Sequence, residues 1–227
     1  MIGGRRFLAV IPARGGSVSV PRKNIQPLCG RPLLAYTVDQ VRRVPELDLT
    51  VVSTDDREIA TVAARLGVRV IDRPAELATG AAPTEWALLH ALDALAEEQS
   101  FDFVVVLEPT SPFRTAKTIR ICLERIAASD APALLTVCPT FQSLGRVENG
   151  RFRRLDPMAP RRRQDRQPLY FECSSVYICR TEHLRRTGSL IADDWLAVPV
   201  PVDEVLDINN AEDFVIAEAL MASRGTS

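Results

Sequence analysis

Short apolar runs alternate along this chain with longer stretches whose apolar residues recur at helical spacing. Phe7-Leu-Ala-Val-Ile11, Leu49-Thr-Val-Val52, Val68-Arg-Val-Ile71, Phe103-Val-Val-Val-Leu107 and Ala133 to Val137 read as strands. The run at 103–107 is wholly apolar, as expected of a strand covered on both faces. Helical patterns lie between them: Pro32 to about Val44, a stretch ending near Leu66-Gly67, Pro83 to Glu98, and about Ala116 to Ala128. Pro32 suits a first helical turn, and Leu34, Val38 and Val41 share one face. Thr54 or Asp55 is placed to cap the second helix; Asp55 could instead neighbour a nucleotide, and of its two roles the cap is favoured. Trp86, Leu89, His90 and Ala94 fall at helical spacing in the third, and both Trp86 and Trp195 are expected in the core. The β-α-β-α order predicts an α/β fold with a mostly parallel sheet and helices on both faces. Ligands of such sheets sit beyond the carboxyl ends of the strands. Three polar segments follow strand ends there, Pro12 to Asn24, Ser53 to Asp56 and Glu108 to Arg114, and are expected to gather on one rim.

The rhythm breaks over 139–172, where four prolines and eight arginines stand against four acids. Gln142 to Val147 and Arg151 to Leu155 flank Glu148-Asn149-Gly150, and Asn-Gly between extended runs predicts a hairpin. The segment reads as an arm inserted into a single domain spanning 1–227. Aromatic residues for base stacking are few in it, so an anionic small ligand is a better match for its arginines than nucleic acid. The chain rejoins the sheet at Ser175 to Ile178 and Trp195 to Val200 and ends in a helix from about Ala211 to Met221.

The net charge of −1 gives no bulk argument for nucleic acid or an anionic membrane. No apolar run approaches the roughly 20 residues of a membrane span. Arg5-Arg6 before Phe7 to Ile11 faintly resembles a twin-arginine signal, but the apolar stretch is too short for one. The five cysteines are scattered with no CxxC pair. That argues against a zinc site or a disulfide scaffold and for a cytoplasmic protein with reduced thiols, Cys122 and Cys138 being core residues.

The stretch Ile11-Pro-Ala-Arg-Gly-Gly-Ser-Val-Ser-Val-Pro-Arg-Lys-Asn24 carries the chemistry. Gly15, Gly16 and Ser17 let the backbone approach a ligand and turn N–H groups into a phosphate-binding nest. Arg14, Arg22 and Lys23 add positive charge, and arginine grips phosphate at two points. The spacing is neither that of a Walker loop nor that of a dinucleotide turn.

This segment is similar to the opening motif of the acylneuraminate cytidylyltransferases, the CMP-sialic acid synthetases. Val52-Ser-Thr-Asp55, Arg73-Pro-Ala-Glu-Leu-Ala78, Pro109-Thr-Ser-Pro112 with Arg114, Arg163-Gln164-Asp165 and Leu206-Asp-Ile-Asn209 match further family signatures in the family's order. The resemblance covers nearly the whole chain. It implies a Rossmann-like fold and a homodimer whose partner's arm completes the site. It also implies transfer of CMP from CTP to a sialic- or legionaminic-like acid with loss of pyrophosphate, assisted by Mg2+ (or Mn2+). By position, Arg14, Gly16, Ser17, Arg22, Lys23, Asn24 and Arg73 resemble CTP-binding residues. Glu108, Arg163 and Gln164 fall in the region that meets the sugar acid. Asp207, with Asn209, falls in the metal site, and Arg14, Lys23 and Asp207 are the expected catalytic groups. Cationic groups would hold the triphosphate while positioning and charge neutralisation supply the catalysis. Helix capping is the structural alternative for Asp207.

Several positions depart from the family pattern. Val18 replaces a usual lysine and Ser19 a glycine, with Arg22 the candidate substitute cation. Asn209 replaces a frequent second aspartate. Glu108 replaces glutamine and has four open roles: repelling a sugar carboxylate, binding an amine on the acceptor, assisting the metal, or resting as a solvated acid near Arg114. Glu172-Cys173-Ser174-Ser175 replaces a segment that usually holds Asn-Gly, and Ala78 to Ala81 lacks a common aspartate. These changes leave two further readings open. One is a cytidylyltransferase for another ulosonic acid or a phosphonate; the other is a degraded relative that binds nucleotide without turnover.

Overall fold

The computed structural model describes residues 1–17 and 19–225, so Val18 lies outside the described residues. Strand β1 (Phe7–Pro12) is followed by two very short paired strands, β2 (Pro27–Leu28) and β3 (Arg31–Pro32), and by helix α1 (Leu33–Val41). Then come β4 (Leu49–Thr54), α2 (Arg57–Arg65), β5 (Arg69–Asp72), α3 (Thr84–Ala94), β6 (Phe103–Val106), α4 (Ala116–Ala127) and β7 (Ala133–Thr140). A hairpin of β8 (Gly145–Glu148) and β9 (Arg151–Arg154) precedes β10 (Leu169–Arg180), α5 (Thr181–Thr187), β11 (Trp195–Pro199) and α6 (Ala211–Gly225).

The central sheet has seven strands in the order β11-β7-β10-β6-β1-β4-β5. β1 pairs in parallel with β4 and β6, and β4 with β5. β10 runs antiparallel between β6 and β7, while β11 is parallel to β7. The expected Rossmann-like sheet with helices on both faces is therefore present, with one reversed strand. Apolar patterning gives no strand direction. β10 is reversed because the segment after β7 contains no crossover helix and doubles back along β7.

Side chains alternate across the sheet and build two layers. Phe7, Ala9, Ile11, Phe103, Val105 and Leu107 pack under α1, α2 and α4. Leu8, Val10, Val104 and Val106 pack against α3 and α5 on the opposite face. Phe7 and Phe103 stack with ring centroids 5.0 Å apart. A smaller cluster of Leu28, Leu33, Phe113, Ile208 and Ala217 seats α6.

Local chemistry corrects three expectations. Asp56, not Thr54 or Asp55, caps α2, its carboxylate accepting from the Glu58 and Ile59 N–H groups. The buried face of α3 is Ala87, Leu88, Ala91 and Leu92, one step round the helix from the predicted stripe, and Trp86 is 47% exposed. Trp195 is only half-buried. The hairpin turn is at Asn149-Gly150, both at positive φ as a two-residue turn requires. The bounds of the expected arm shift as well, because Pro139 and Glu172 belong to paired strands: Tyr170 lies opposite Pro139, and Glu172 opposite Val137. Cys122 and Cys138 are buried, and burial pushes the Cys122 thiol up to about 12. Among the described residues, no helix is long and apolar enough to cross a membrane.

Phe103→Ala should destabilise the fold by about 3–5 kcal/mol, because it removes a fully buried ring stacked on Phe7. Urea unfolding of the two proteins measures the difference.

Candidate functional site

β1, β4 and β6 run side by side in one direction, so the loops after them emerge together. Beyond their carboxyl ends is a cleft of about 250 Å³ lined by Arg14, Lys23, Asn24, Arg73, Glu108, Thr110 and the 77–84 segment. The loop after β1 is held open by specific bonds. Ala13 N–H donates to the Ser53 carbonyl at 2.9 Å, continuing the β1–β4 ladder. Gly15 N–H then donates to Asp55 Oδ1 at 3.0 Å. A Cβ on Gly15 would stand 2.7 Å from Asp56 Oδ2, so any larger residue there must shift the loop or Asp56. Asn24, buried, donates to the Arg14 carbonyl at 3.1 Å and closes the loop on itself. The Arg14 guanidinium reaches across the cleft to the Thr79 carbonyl at 2.6 Å.

Arg73 is 6% exposed and donates to the Ser53 carbonyl at 2.5 Å. Burial lowers its pKa, with Asp55 acting against the shift. Its Nε is buried without a partner among the described residues, the kind of donor that an anion would satisfy.

The opposite wall comes from the chain before α6. Ile208 N–H donates to the Thr110 carbonyl at 2.8 Å, and Lys23 Nζ donates to the Ile208 carbonyl at 2.8 Å. Ser19 Oγ donates to the Asn209 carbonyl, tying the phosphate-type loop to the same segment. Asn210 and Asp213 exchange side-chain-to-backbone bonds at the start of α6. That reciprocal cap leaves Asp207 out of the capping role. Asp207 Oδ2 accepts from Asn209 Nδ2 at 3.1 Å, while Asp207 Oδ1 is buried without a partner among the described residues. A buried carboxylate oxygen with no donor is what a hard divalent cation would satisfy.

Charge around this wall is mutually tuned. Burial lowers the Lys23 pKa, against the attraction of Asp207, Glu108 and Asp213. Burial, with the Asp207 charge next, raises the Glu108 carboxyl above the usual carboxylate range, while Arg114 and Lys23 pull it back. The arrangement can accept a polyphosphate between the cationic loop and Arg73. It places two carboxylates, Glu108 and Asp207, on the far side, where a cation and a second reactant can sit.

The predicted residues divide into three groups. Arg14, Ser17, Lys23, Asn24, Arg73 and Glu108 line one cleft. Asp207 and Asn209 stand beside it, with Asn209 orienting Asp207. The others are placed differently. Arg22, at φ 49, is turned to Asp56 and Glu58 and forms ion pairs at 3.2 and 2.7 Å, so it does not substitute for a cradle cation. Gly16 is exposed with open space above it. Arg163 and Gln164 are exposed on the arm and do not enter the cleft of their own chain. Sequence reasoning missed Thr79 and Gly80 as lining residues of the cleft. No charge or spacing marks those positions. Arg114 stood inside a recognised motif with no role assigned to it.

A protein-family model described as cytidylyltransferase matches residues 8–196. The chain is 32% identical to a CMP-N,N'-diacetyllegionaminic acid synthase of Legionella pneumophila, over 95% of this chain and 96% of that protein. It is 27% identical to an N-acylneuraminate cytidylyltransferase of Escherichia coli over 93% of this chain, which spans 51% of that longer protein. It is 26% identical to a pseudaminic acid cytidylyltransferase of Campylobacter jejuni, over 94% of this chain and 95% of that one. In fold it is similar to a CMP:2-keto-3-deoxy-manno-octonic acid synthetase complexed with CTP, with a TM-score of 0.71 at 16% identity over 96% of this chain and 99% of that one. It is also similar to a 4-diphosphocytidyl-2C-methyl-D-erythritol synthase of Anaerococcus prevotii, with a TM-score of 0.71 at 17% identity, over 97% of this chain and 98% of that one.

Two outcomes test the cleft. Gly15→Ala must displace the loop or Asp56 and should weaken pyrophosphate binding roughly tenfold or more, as titration calorimetry would show. The lowered Lys23 pKa also fixes a sign: its proton is lost below the pH at which free lysine deprotonates, and a bound anion favours the charged form. Pyrophosphate affinity should therefore fall as pH rises through that lowered value, and Lys23→Arg should abolish the alkaline decline.

Proposed function

Because the chain belongs to the cytidylyltransferase family, we propose that it transfers CMP from CTP to a nonulosonic acid of the sialic or legionaminic kind, releasing pyrophosphate. One observation carries this reading. The cationic loop and Arg73 share a cleft with Glu108, and Asp207, whose Oδ1 has no partner among the described residues, stands next to it at the strand ends. Relatives similar over nearly their whole length carry names of CMP-nonulosonic acid synthases, which supports the acceptor class.

Arg14, Ser17, Lys23, Asn24 and Arg73 hold the triphosphate and ribose side of CTP. The acceptor enters from the Glu108 side. Its hydroxyl oxygen forms a bond to the α-phosphorus as the bond to the bridging α–β oxygen breaks, and pyrophosphate leaves with that electron pair. The hydroxyl proton departs to solvent or a neighbouring base. Positioning and fixed charge account for the catalysis, because the protein forms no covalent bond of its own. Lys23 neutralises charge building on the phosphates. Asp207 Oδ1 suits an oxygen-seeking divalent ion, Mg2+ or Mn2+, with Asn209 fixing the other carboxylate oxygen. Such an ion would neutralise phosphate charge and orient the reacting oxygens.

The arm supports a homodimer. Val147 (73% exposed), Phe152 (57%) and Met158 (88%) present apolar surface on it, and Arg163 and Gln164 lie outside their own cleft. A second copy would cover the first group and receive the second beside its acceptor. The free cysteines suit a reducing compartment, and we place the enzyme in the cytoplasm.

Pyrophosphate release from CTP with Mg2+ tests the reading. The acceptors would be sialic, legionaminic, pseudaminic and eight-carbon ulosonic acids and simple phosphonates. Release with CTP and a nonulosonic acid is expected, with a loss on the order of 100-fold or more in Asp207→Ala. Release only with a phosphonate would replace the acceptor class, and CTP binding without release from any acceptor would overturn the enzymatic reading.

A further inference from the structure

Arg114 is the largest fully buried side chain of the described residues, with only 1% of its surface exposed. It forms no ion pair with any of the described residues. Nη1 donates to the Ser175 carbonyl at 2.6 Å, and Nη2 donates to Thr37 Oγ1 at 2.6 Å and to the Glu108 carbonyl at 2.9 Å. All three acceptors are neutral. The Thr37 hydroxyl in turn lies 3.5 Å from the Glu108 carbonyl, positioned to donate to it. Burying a guanidinium against uncharged partners is costly, so the position needs what only this group supplies. A planar fork holds these acceptors from two nitrogens at fixed angles, whereas a lysine would have to reach all of them from one nitrogen.

The acceptors explain the need. Glu108 lies past the end of β6, where the ladder has stopped. Ser175 lies in the bulge where β10 loses register with β7, between Cys173 and Tyr177. These two backbones diverge with no ladder bond between them. Arg114 joins them and anchors both to α1 through Thr37, while Ser111 Oγ adds a bond to the Ser174 carbonyl at 3.1 Å. Thr110, four residues before Arg114, receives the Ile208 N–H and so seats the Asp207 segment. The charges facing the guanidinium come from three elements: Glu108 after β6, Glu204 in the turn before α6, and Asp207.

We infer that Thr37 and Arg114 form a buried clamp that fixes the acceptor side of the site, Arg114 being a positioning residue that acts through Glu108 and the Ser174–Ser175 bulge. This rests on the cytidylyltransferase reading for which side the acceptor occupies. Among the described residues, no side-chain hydrogen bond joins Thr37 or Arg114 to Arg14, Ser17, Lys23, Asn24 or Arg73, so the clamp can be altered without removing a cradle bond.

The test uses the whole chain with Thr37→Val, Thr37→Ser and Arg114→Lys. Thr37 is 1% exposed and lines no part of the cleft, and valine matches its shape without the hydroxyl. Turnover per folded molecule should drop roughly tenfold in Thr37→Val and towards 100-fold in Arg114→Lys, with CTP affinity within about twofold of the parent by calorimetry. Thr37→Ser should restore turnover. Amide hydrogen exchange at 108–111 and 174–176 should quicken in Thr37→Val, a readout that holds even if the wild type releases no pyrophosphate, which would be a failure of the functional reading alone. Unchanged exchange there overturns the clamp. So does a loss of stability with unchanged turnover per folded molecule, or a fall in CTP affinity that tracks the fall in turnover.

Discussion

Burial of β1 between β4 and β6 is the constraint on which the rest of this molecule depends. Phe7 to Ile11 are completely buried, and both faces of the strand are covered by helices. Such a strand has no freedom of register, since a one-residue slip would exchange the two apolar layers. Its carboxyl end is therefore a fixed point. The loop that leaves there continues the β4 ladder for one more bond before Gly15 turns it against Asp55 and Asp56. The cleft is thus built on the most rigid part of the sheet, although its walls are loops.

The two walls are tied by few bonds, and most of them end on backbone carbonyls. Lys23 and Ser19 reach the 208–209 segment, Arg14 reaches Thr79, and Arg114 reaches Glu108 and Ser175. Side chains that could face a ligand are thereby used to set the distance between elements. Lys23 has both tasks at once, and its lowered pKa reflects the dry position that this requires. Arg22, the nearest spare cation in sequence, is held by Asp56 and Glu58 at the start of α2. The cation count of the cradle therefore cannot be read from the count of arginines and lysines in the loop.

Much of the architecture was legible in advance because apolar periodicity reports burial directly. Strands β1, β4, β5, β6 and β7 and helices α1 to α4 follow from it to within a few residues at their ends. Asn149-Gly150 announced its turn through the positive φ that those residues tolerate. The errors have one origin: periodicity identifies a face but not what covers it. The α3 stripe through Trp86 and His90 was a plausible face, yet Leu88 and Leu92 meet the sheet. Asp55 and Asp56 are equally good caps by chemistry, and only the path of the Gly15 loop assigns Asp55 to that loop and Asp56 to the helix.

The candidate site divides along the same line. The sequence by itself determined the cationic glycine loop and the parallel-sheet order that brings strand ends to one rim, because these depend on residue type and local spacing, whereas the Asp207 segment was marked by the family resemblance. Only the tertiary structure decided that β10 runs backwards beside β6, that its bulge faces Glu108, and that a buried guanidinium joins them through Thr37. Those contacts link positions 37, 108, 114 and 175, which no local pattern relates. Their geometry is set by how the sheet twists and where its ladders stop, quantities that exist only once every strand has found its neighbour.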